Sequence, residues 1–551
     1  MTGTSHTDRE AMAAKRGNMK LTNPLMATAA LLMVPGCTAA MDQGDAPASE
    51  GEAQGPKPRV VVTTDPELDD LNSLIRYLLY LPDVETEAIV YASSQYHWRG
   101  DGEGTQWFMP YGEYRRFGLE LCPCTSWRWA EGEQFIDDAI DAYAESYPNL
   151  VVHDAEYPAP QDVRALVKWG NVSFDGDLSS DTEGSDAIRA LLLDDDPAPL
   201  HLHVFGGGNT IARALLSIQE DYRGTDEWPE IYTKVARKAI IRASGDQDFT
   251  IGAYIEKFWP DIEIRDAVDP VPLSYNAYAR VSLEDAVYYG PEWTRENITS
   301  QGPLGALYRT WGDGRQMVPG DRTDYFGETG KTADELRAEG FTVWAPVQPQ
   351  GTFISEGDTP TYLNLIANGL RGYQQGGLGG WGGFFPLPAV REEYISNTDF
   401  AALLQESPER LKTHPFAAAA QNDFAARLRW SVTSDYADAN HHPVLAPGQP
   451  FDRSVTPGET VSLDVAVSDP DGDPVEVDWW QWEDAGTYLG PVTLATDGTA
   501  ATVTIPEDAA PGETIHVIAE ASDDRELELT TYGHFVLRVA QEPGTDRRPL
   551  R

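Results

Sequence analysis

The chain has 551 residues, more than one hydrophobic core organises, so two or three folded units are expected. Its 88 Asp+Glu against 41 Lys+Arg leave a net charge of -47, which repels polyanions and excludes nucleic acid and anionic membrane surfaces as partners. A hydrophobic content of 41%, with 15 Trp and 24 Tyr, is enough for large cores.

Residues 1–36 read as an export signal with an upstream extension, the true start then being Met19. The apolar run Leu25 to Val34 is too short to span a bilayer. It leads into Val34-Pro35-Gly36-Cys37, which resembles a bacterial lipobox, with Cys37 lipidated as the mature N-terminus. The alternative is an ordinary signal cut at a small residue. Either way the protein is expected outside the cytoplasm of a bacterium, periplasmic or at the cell surface, touching membrane only through an N-terminal lipid anchor. Residues 37–58 are small, polar and Pro/Gly-rich, a flexible tether. Cys122 and Cys124 are two apart, a poor spacing for a bridge, and read as buried thiols or metal ligands with no disulfide framework.

Between 59 and 390 strand and helix patterns alternate. Val60–Val62 is an apolar strand, followed by Leu71, Leu74, Ile75, Leu78 and Leu79 at helical spacing and a stop at Pro82. Residues 87–93, 200–205 and 238–244 read as further strands, the second running into Gly206-Gly207-Gly208-Asn209 and a helix. Thr359 and Pro360 read as a helix start, with Leu363, Ile366, Ala367 and Leu370 as its buried stripe. The alternation predicts an open, mostly parallel α/β sheet with helices on both faces. Residues 391–444 read as a connector containing a helix. From 445 to 541, short alternating runs separated by turns predict an immunoglobulin-like β-sandwich, and 542–551 a loose tail. On one of its strands, alternation puts Trp480 and Trp482 on one face and Trp479 on the other. Trp480 and Trp482 are candidates for glycan stacking or for core packing. Residues 469–473, DPDGD, are an acidic turn or a Ca2+ loop.

Asp65, Asp69 and Asp70 follow the first strand, where ligands of open α/β sheets bind. Three carboxylates so close repel one another unless a cation or protons compensate. An all-oxygen set suits Ca2+ better than Zn2+. A solvated acidic turn capping the next helix is the other reading.

Thr64-Asp65-Pro66-Glu67-Leu68-Asp69-Asp70 resembles the Asp-Thr-Asp-Pro-Gly-x-Asp-Asp signature of nucleoside hydrolases. Further segments, among them IVYASSQYHWRG, FGGGNTIARAL, SGDQDF, EGDTPTYLNLIANGL, GGWGGFF and ANHHP, make the chain similar to a secreted bacterial family described as nucleoside-hydrolase-like and cellulose-binding, with a C-terminal sandwich. The resemblance implies that Asp65 is a calcium ligand and the general base that activates water. Asp70 would be a second ligand, Asp358 a third, and the Gly207 backbone carbonyl a fourth. Asp69 would accept from a sugar hydroxyl. His97, Asn209, Gln247, Asp248 and Trp381 are further candidates for substrate contact. Thr63 replaces the first aspartate of the signature and Glu67 its glycine, so the support around the metal and the turn differ. Ser93, Ser94 and Gln95 stand where the family has an asparagine and Asp246-Gln247-Asp248 where it has its sugar-binding segment, so a nucleobase pocket does not carry over. The expected function is an exported, calcium-dependent glycosidase-type hydrolase. It would act on the N- or O-glycosidic bond of a sugar with a vicinal diol, a carbohydrate or a nucleoside. The alternative is a non-catalytic, polysaccharide-binding lipoprotein.

Overall fold

Six parallel strands form the first sheet, in the order β3-β2-β1-β4-β5-β6. They are β1 (Arg59–Thr64), β2 (Glu85–Tyr91), β3 (Val167–Trp169), β4 (Leu200–Val204), β5 (Ala239–Ala243) and β6 (Glu263–Ile264). The computed structural model describes residues 56–108, 122–265, 267–374, 378–385 and 410–540. All of these lie in one unit, Gly51–Arg551. The signal, Cys37, most of the tether, the first part of the connector and the tail after 540 fall outside them.

β1 lies at the centre because it is apolar on both faces: Val60, Val61 and Val62 are fully buried. Such a strand needs cover on both sides, which crossover helices supply. From β1 the chain winds outward through β2 and β3, then returns to place β4 on the other side of β1. The strand order therefore reverses between β1 and β4, and a crevice opens at their carboxyl ends. Asp65 follows β1 there, and Gly206 to Gly208 follow β4. The helix Leu68–Leu79 packs on one face of the sheet, and the helix Asn209–Tyr222 belongs to the core on the other.

The second domain is a sandwich of two four-stranded sheets. One has the order β10-β13-β14-β8, from β10 (Val475–Gln481), β13 (Thr514–Asp523), β14 (Thr530–Val539) and β8 (Asp452–Val455). The other has the order β11-β12-β9-β7, from β11 (Thr493–Asp497), β12 (Ala500–Thr504), β9 (Thr460–Ser468) and β7 (Val444–Pro447). Strand alternation splits the tryptophans of β10. Trp479 enters the sandwich core and stacks on Phe535 at 5.6 Å between ring centres. Trp480 faces the first domain, and Trp482, just past the strand, does so too.

That outward face is covered rather than open. Phe416 wedges against Trp482 at 5.0 Å, Trp480 at 5.6 Å and Tyr532 at 5.6 Å. Trp482 is 6% exposed, so its ring is not free to stack on a glycan, which corrects that expectation. Trp480 is half-buried, packs on the same cluster and donates its indole N–H to Glu520 at 2.9 Å. The connector helix Ala417–Trp430 carries this core into the first domain.

The segment after Asp358 also departs from expectation. Its helix is replaced by two 3₁₀ turns, Thr359–Thr361 and Leu363–Leu365. Its backbone seats the sandwich instead. Asn368 O accepts from Tyr532 N at 2.8 Å, and Leu370 O bonds the His534 ring at 2.7 Å. Gly369 has φ +93° and lies directly on the Tyr532 carbonyl, where a Cβ would stand at 1.9 Å. A continuous helix would consume these carbonyls internally. Cys122 and Cys124 form a disulfide, against the reading as thiols. Their Cα atoms lie 4.6 Å apart, within the range of a disulfide. The DPDGD turn ties the connector down: Asp471 accepts from His441 N at 2.8 Å, and Asp473 pairs with Arg525 at 2.5 Å.

Two outcomes follow for the domain junction. Phe416→Ala should destabilise the chain by about 3–5 kcal/mol, the usual cost of emptying a buried aromatic site, read as a shift in urea midpoint. Asp423, on the connector helix, is held below its ordinary pKa. Burial alone would push it up, but Arg427 and His442 beside it more than offset that. A depressed carboxylate stabilises the fold fully above its unfolded pKa of about 4, and that contribution fades as pH falls below it. Asp423→Asn should therefore cost stability at pH 7 and flatten the acid limb of the pH–stability curve. Urea midpoints taken across pH would show both.

Candidate functional site

The chain turns from β1 into the helix Leu68–Leu79 within three residues, Asp65 to Glu67. Asp69 and Asp70 therefore fall in the first helical turn, where unsatisfied backbone N–H groups favour negative charge. Asp70 is fixed by two bonds to one oxygen: Oδ1 accepts from Thr64 Oγ1 at 2.7 Å and from Asp65 N at 2.9 Å. Asp65 Oδ1 accepts from Glu67 N at 3.2 Å, which closes the turn. Asp65 itself is 0% exposed, and its Oδ2 has no hydrogen-bond partner.

The loop after β4 makes room for that oxygen. A Cβ on Gly206 would sit 2.5 Å from Asp65 Oδ2, so only glycine fits. Gly207 is pressed against Ser93 O and Asp248, and its carbonyl accepts from Thr63 Oγ1 at 3.4 Å.

Nearly 290 residues away in sequence, the turn at 355–358 closes on the same place. Ser355 Oγ donates to Asp69 Oδ2 at 3.0 Å, and a Cβ on Gly357 would lie 2.6 Å from that atom. Asp358 is buried, with Oδ2 unpartnered. Between them, Glu356 is clamped in the interior by Arg76 at 2.6 Å and by Tyr308 at 2.5 Å, which anchors the turn on the helix Leu68–Leu79.

Burial pushes the Asp70 carboxyl well above the ordinary range, and the charges of Asp358 and Asp65 push it further. Burial and then Asp69 do the same to Asp358. Burial also raises Asp69, against hydrogen bonds from Ser355 and Tyr275 that favour its charged form. Carboxyls pushed this way are short of positive charge. Orphaned oxygens on Asp65 and Asp358 beside them fit a hard divalent cation, and so does the donor chemistry.

Asp69 of this cluster lines a cavity of about 320 Å³, whereas Asp65, Asp70 and Asp358 are not among its lining residues. Glu67, Asp69, His97 and Gln247 line one side. His97 is 4% exposed, with Nδ1 3.2 Å from Asp65 Oδ1 and 3.9 Å from Glu67 Oε2. Tyr275 shares its hydroxyl between Asp69 Oδ1 at 3.2 Å and Glu67 Oε1 at 3.3 Å. Its ring stacks on Phe326 at 5.5 Å and meets Trp344 edge-on at 5.1 Å, forming an aromatic wall. Asp246, Asp321 and Asp324 add negative charge around the cavity, and Arg128 pairs with Asp321 at 3.0 Å.

The residues named from sequence divide accordingly. Asp69, His97 and Gln247 line the cavity, and Asp65, Asp70 and Asp358 lie close to Asp69 without lining it. Asn209 is wholly buried, its amide bonded to Ser93 Oγ and Asn171 O, and Asp248 accepts from Asn209 N at 2.7 Å. Both brace the glycine loop from behind and do not line the cavity. Trp381 is 1% exposed and packs edge-on against Tyr532 of the sandwich, so it does not form a sugar wall either. Sequence reading missed Glu67 as a functional group, although its place in the signature drew notice. It also missed Tyr275, Phe326 and Trp344, which sit in segments without a motif.

A family model described as "Cellulose-binding Sde182, nucleoside hydrolase-like domain" matches residues 59–385, and "Cellulose-binding protein Sde0182, C-terminal domain" matches 460–539. The chain is similar to the solved structure of a nucleoside hydrolase-related hypothetical protein from Saccharophagus degradans described as associated with carbohydrate metabolism. The TM-score is 0.59 and the identity 24%, over 88% of this chain and 100% of that one. A chimeric titin Z1Z2 structure aligns over 18% of this chain and 98% of its own, at 20% identity and a TM-score of 0.13. No curated protein matches the chain.

Arg76→Met would strand Glu356 without its cation in the interior. A loss of about 3–5 kcal/mol is expected in urea unfolding, with most of it recovered when Glu356→Gln is added.

Proposed function

From the premise that the chain belongs to the Sde182 nucleoside hydrolase-like family, we propose that its acidic cavity is the active site of a glycosidase-type hydrolase acting on a sugar with a vicinal diol. The observation that carries this reading is the convergence of Asp65, Asp69, Asp70 and Asp358, from segments far apart in the chain, beside a cavity that Asp69 lines.

Asp65, Asp70 and Asp358 would hold Ca2+, with the Gly207 carbonyl nearby, and the ion would supply acidification of water and a grip on neighbouring hydroxyls. The chain's own part starts at Asp65. Its carboxylate takes a proton from water as the water oxygen bonds to the anomeric carbon. The glycosidic bond breaks with its electron pair on the leaving atom, which takes a proton from solvent water, and Asp65 returns its proton to solvent, so that one water is split across the bond. Asp69 orients the sugar: its two oxygens already accept from Tyr275 and Ser355, and a carboxylate has capacity for a substrate hydroxyl as well. Glu356 and Arg76 keep the 355–358 turn in place without touching substrate.

Substrate class follows from charge. Glu67, Asp69, Asp246, Asp321 and Asp324 surround the cavity, and Arg128, which also lines it, is paired with Asp321. Phosphorylated or carboxylated sugars would be repelled, and neutral glycosides admitted. The aromatic wall of Tyr275, Phe326 and Trp344 offers a ring surface beside the acids. The family's printed description favours a polysaccharide fragment as the source, consistent with an exported lipoprotein. A purely binding role is the second reading, and the same description favours it. With Trp381 and Trp482 buried, that role would have to use the cavity or another face.

Neutral nucleosides and plant or algal oligosaccharides, assayed for hydrolysis with and without EDTA, test the proposal. Asp65→Asn should lower turnover at least about 100-fold while leaving the fold intact by circular dichroism. EDTA should abolish activity and added Ca2+ restore it. Turnover that survives both removes Asp65 from the mechanism.

A further inference from the structure

Two sets of side chains at the cavity floor each bring potential ligand atoms together. Asp65, Glu67 and His97 form one, and Glu67, Asp69 and Asp70 the other; within each set the atoms lie within 4.8 Å of one another. Glu67 belongs to both. It stands where the nucleoside hydrolase signature has glycine, so this chain adds a carboxylate between two clusters.

The first set differs in kind from the second. His97 turns its Nδ1 to Asp65 Oδ1 at 3.2 Å and to Glu67 Oε2 at 3.9 Å, in a nearly closed environment. Asp65 contributes a carboxylate with no exposure and an unpartnered Oδ2. Ca2+ takes oxygen ligands, whereas imidazole with carboxylates suits a first-row transition ion.

We propose that the cavity floor is a two-ion site. The ion of the proposed function lies on the Asp70 side, and a Mn2+- or Zn2+-class ion at His97, with Asp65 and Glu67 between them. This inference rests on the reading of the acidic cluster as a cation site, and it does not depend on hydrolysis. It assigns Glu67 and His97 a metal-binding role that an all-aspartate, single-ion site would not need. The rival occupant of the space between Nδ1 and Oδ1 is a proton.

Metal content of the full chain decides the matter. Chelator-stripped protein would be titrated with Mn2+ and followed by electron paramagnetic resonance and by elemental analysis after desalting. Two equivalents are expected in the wild type, one of them displaced by Ca2+ and the other by Zn2+. His97→Ala and Glu67→Gly should each retain one, with melting curves confirming the fold. A single equivalent in the wild type at saturating Mn2+ overturns the proposal, whatever the variants do. So do two equivalents retained in His97→Ala. Two bound ions without hydrolysis of any glycoside would support this inference and sink the proposed reaction. Hydrolysis with one ion would do the reverse.

Discussion

Negative charge held out of water at the end of β1 is the constraint around which this structure is arranged. Asp65 and Asp70 are almost without exposure, Asp358 joins them, and burial raises the pKa of Asp70 and Asp358. Such an arrangement persists only if the surroundings over-determine it. Here they do: Thr64 and a backbone N–H hold Asp70, Ser355 and Tyr275 hold Asp69, and two glycines give the carboxylates room. The strand beneath and the first turn of the helix then bring the acids together, with Asp69 at the cavity. Positioning groups on strand and helix ends fixes them more tightly than a loop would.

The sandwich is coupled to this site through one chain of contacts. The turn that carries Asp358 runs on into Thr359–Leu365 and then to Asn368 and Leu370, whose carbonyls bond the sandwich strand β14. The tryptophans that look like a glycan platform are part of the same junction, with Phe416 between them. A buried aromatic seam of this kind makes the second domain a brace for the 355–370 segment. Ligand recognition, in the proposed reading, belongs to the first domain.

Local patterns were read well because local rules govern them. The valine run of β1, the helical spacing of Leu71 to Leu79 and the alternation in the sandwich each state a period and a buried face. The helix expected at 359–370 was misread because its buried stripe is real, yet its backbone serves another domain, and pattern carries no record of distant partners. The tryptophan of β10 and its neighbours mislead for the same reason. Alternation sorts them correctly to two faces, but whether a face meets solvent depends on what packs there. Cys122 and Cys124 were misjudged because sequence spacing does not fix how far apart two Cα atoms stand, and here they are 4.6 Å apart.

By itself the sequence determined the alternation of strand and helix from residue 59 on, the change to a β-sandwich near residue 445, and a set of carboxylates after the first strand. These follow from periodicity and from residue type within a few positions. Only the tertiary structure decided that Glu67, His97 and Tyr275 stand beside those carboxylates, that Asn209 and Asp248 stand behind them, and that Trp381 and Trp482 are sealed inside. Such facts depend on which segments meet across hundreds of residues, and side-chain chemistry alone does not say which neighbour will take each hydrogen bond or cover each ring.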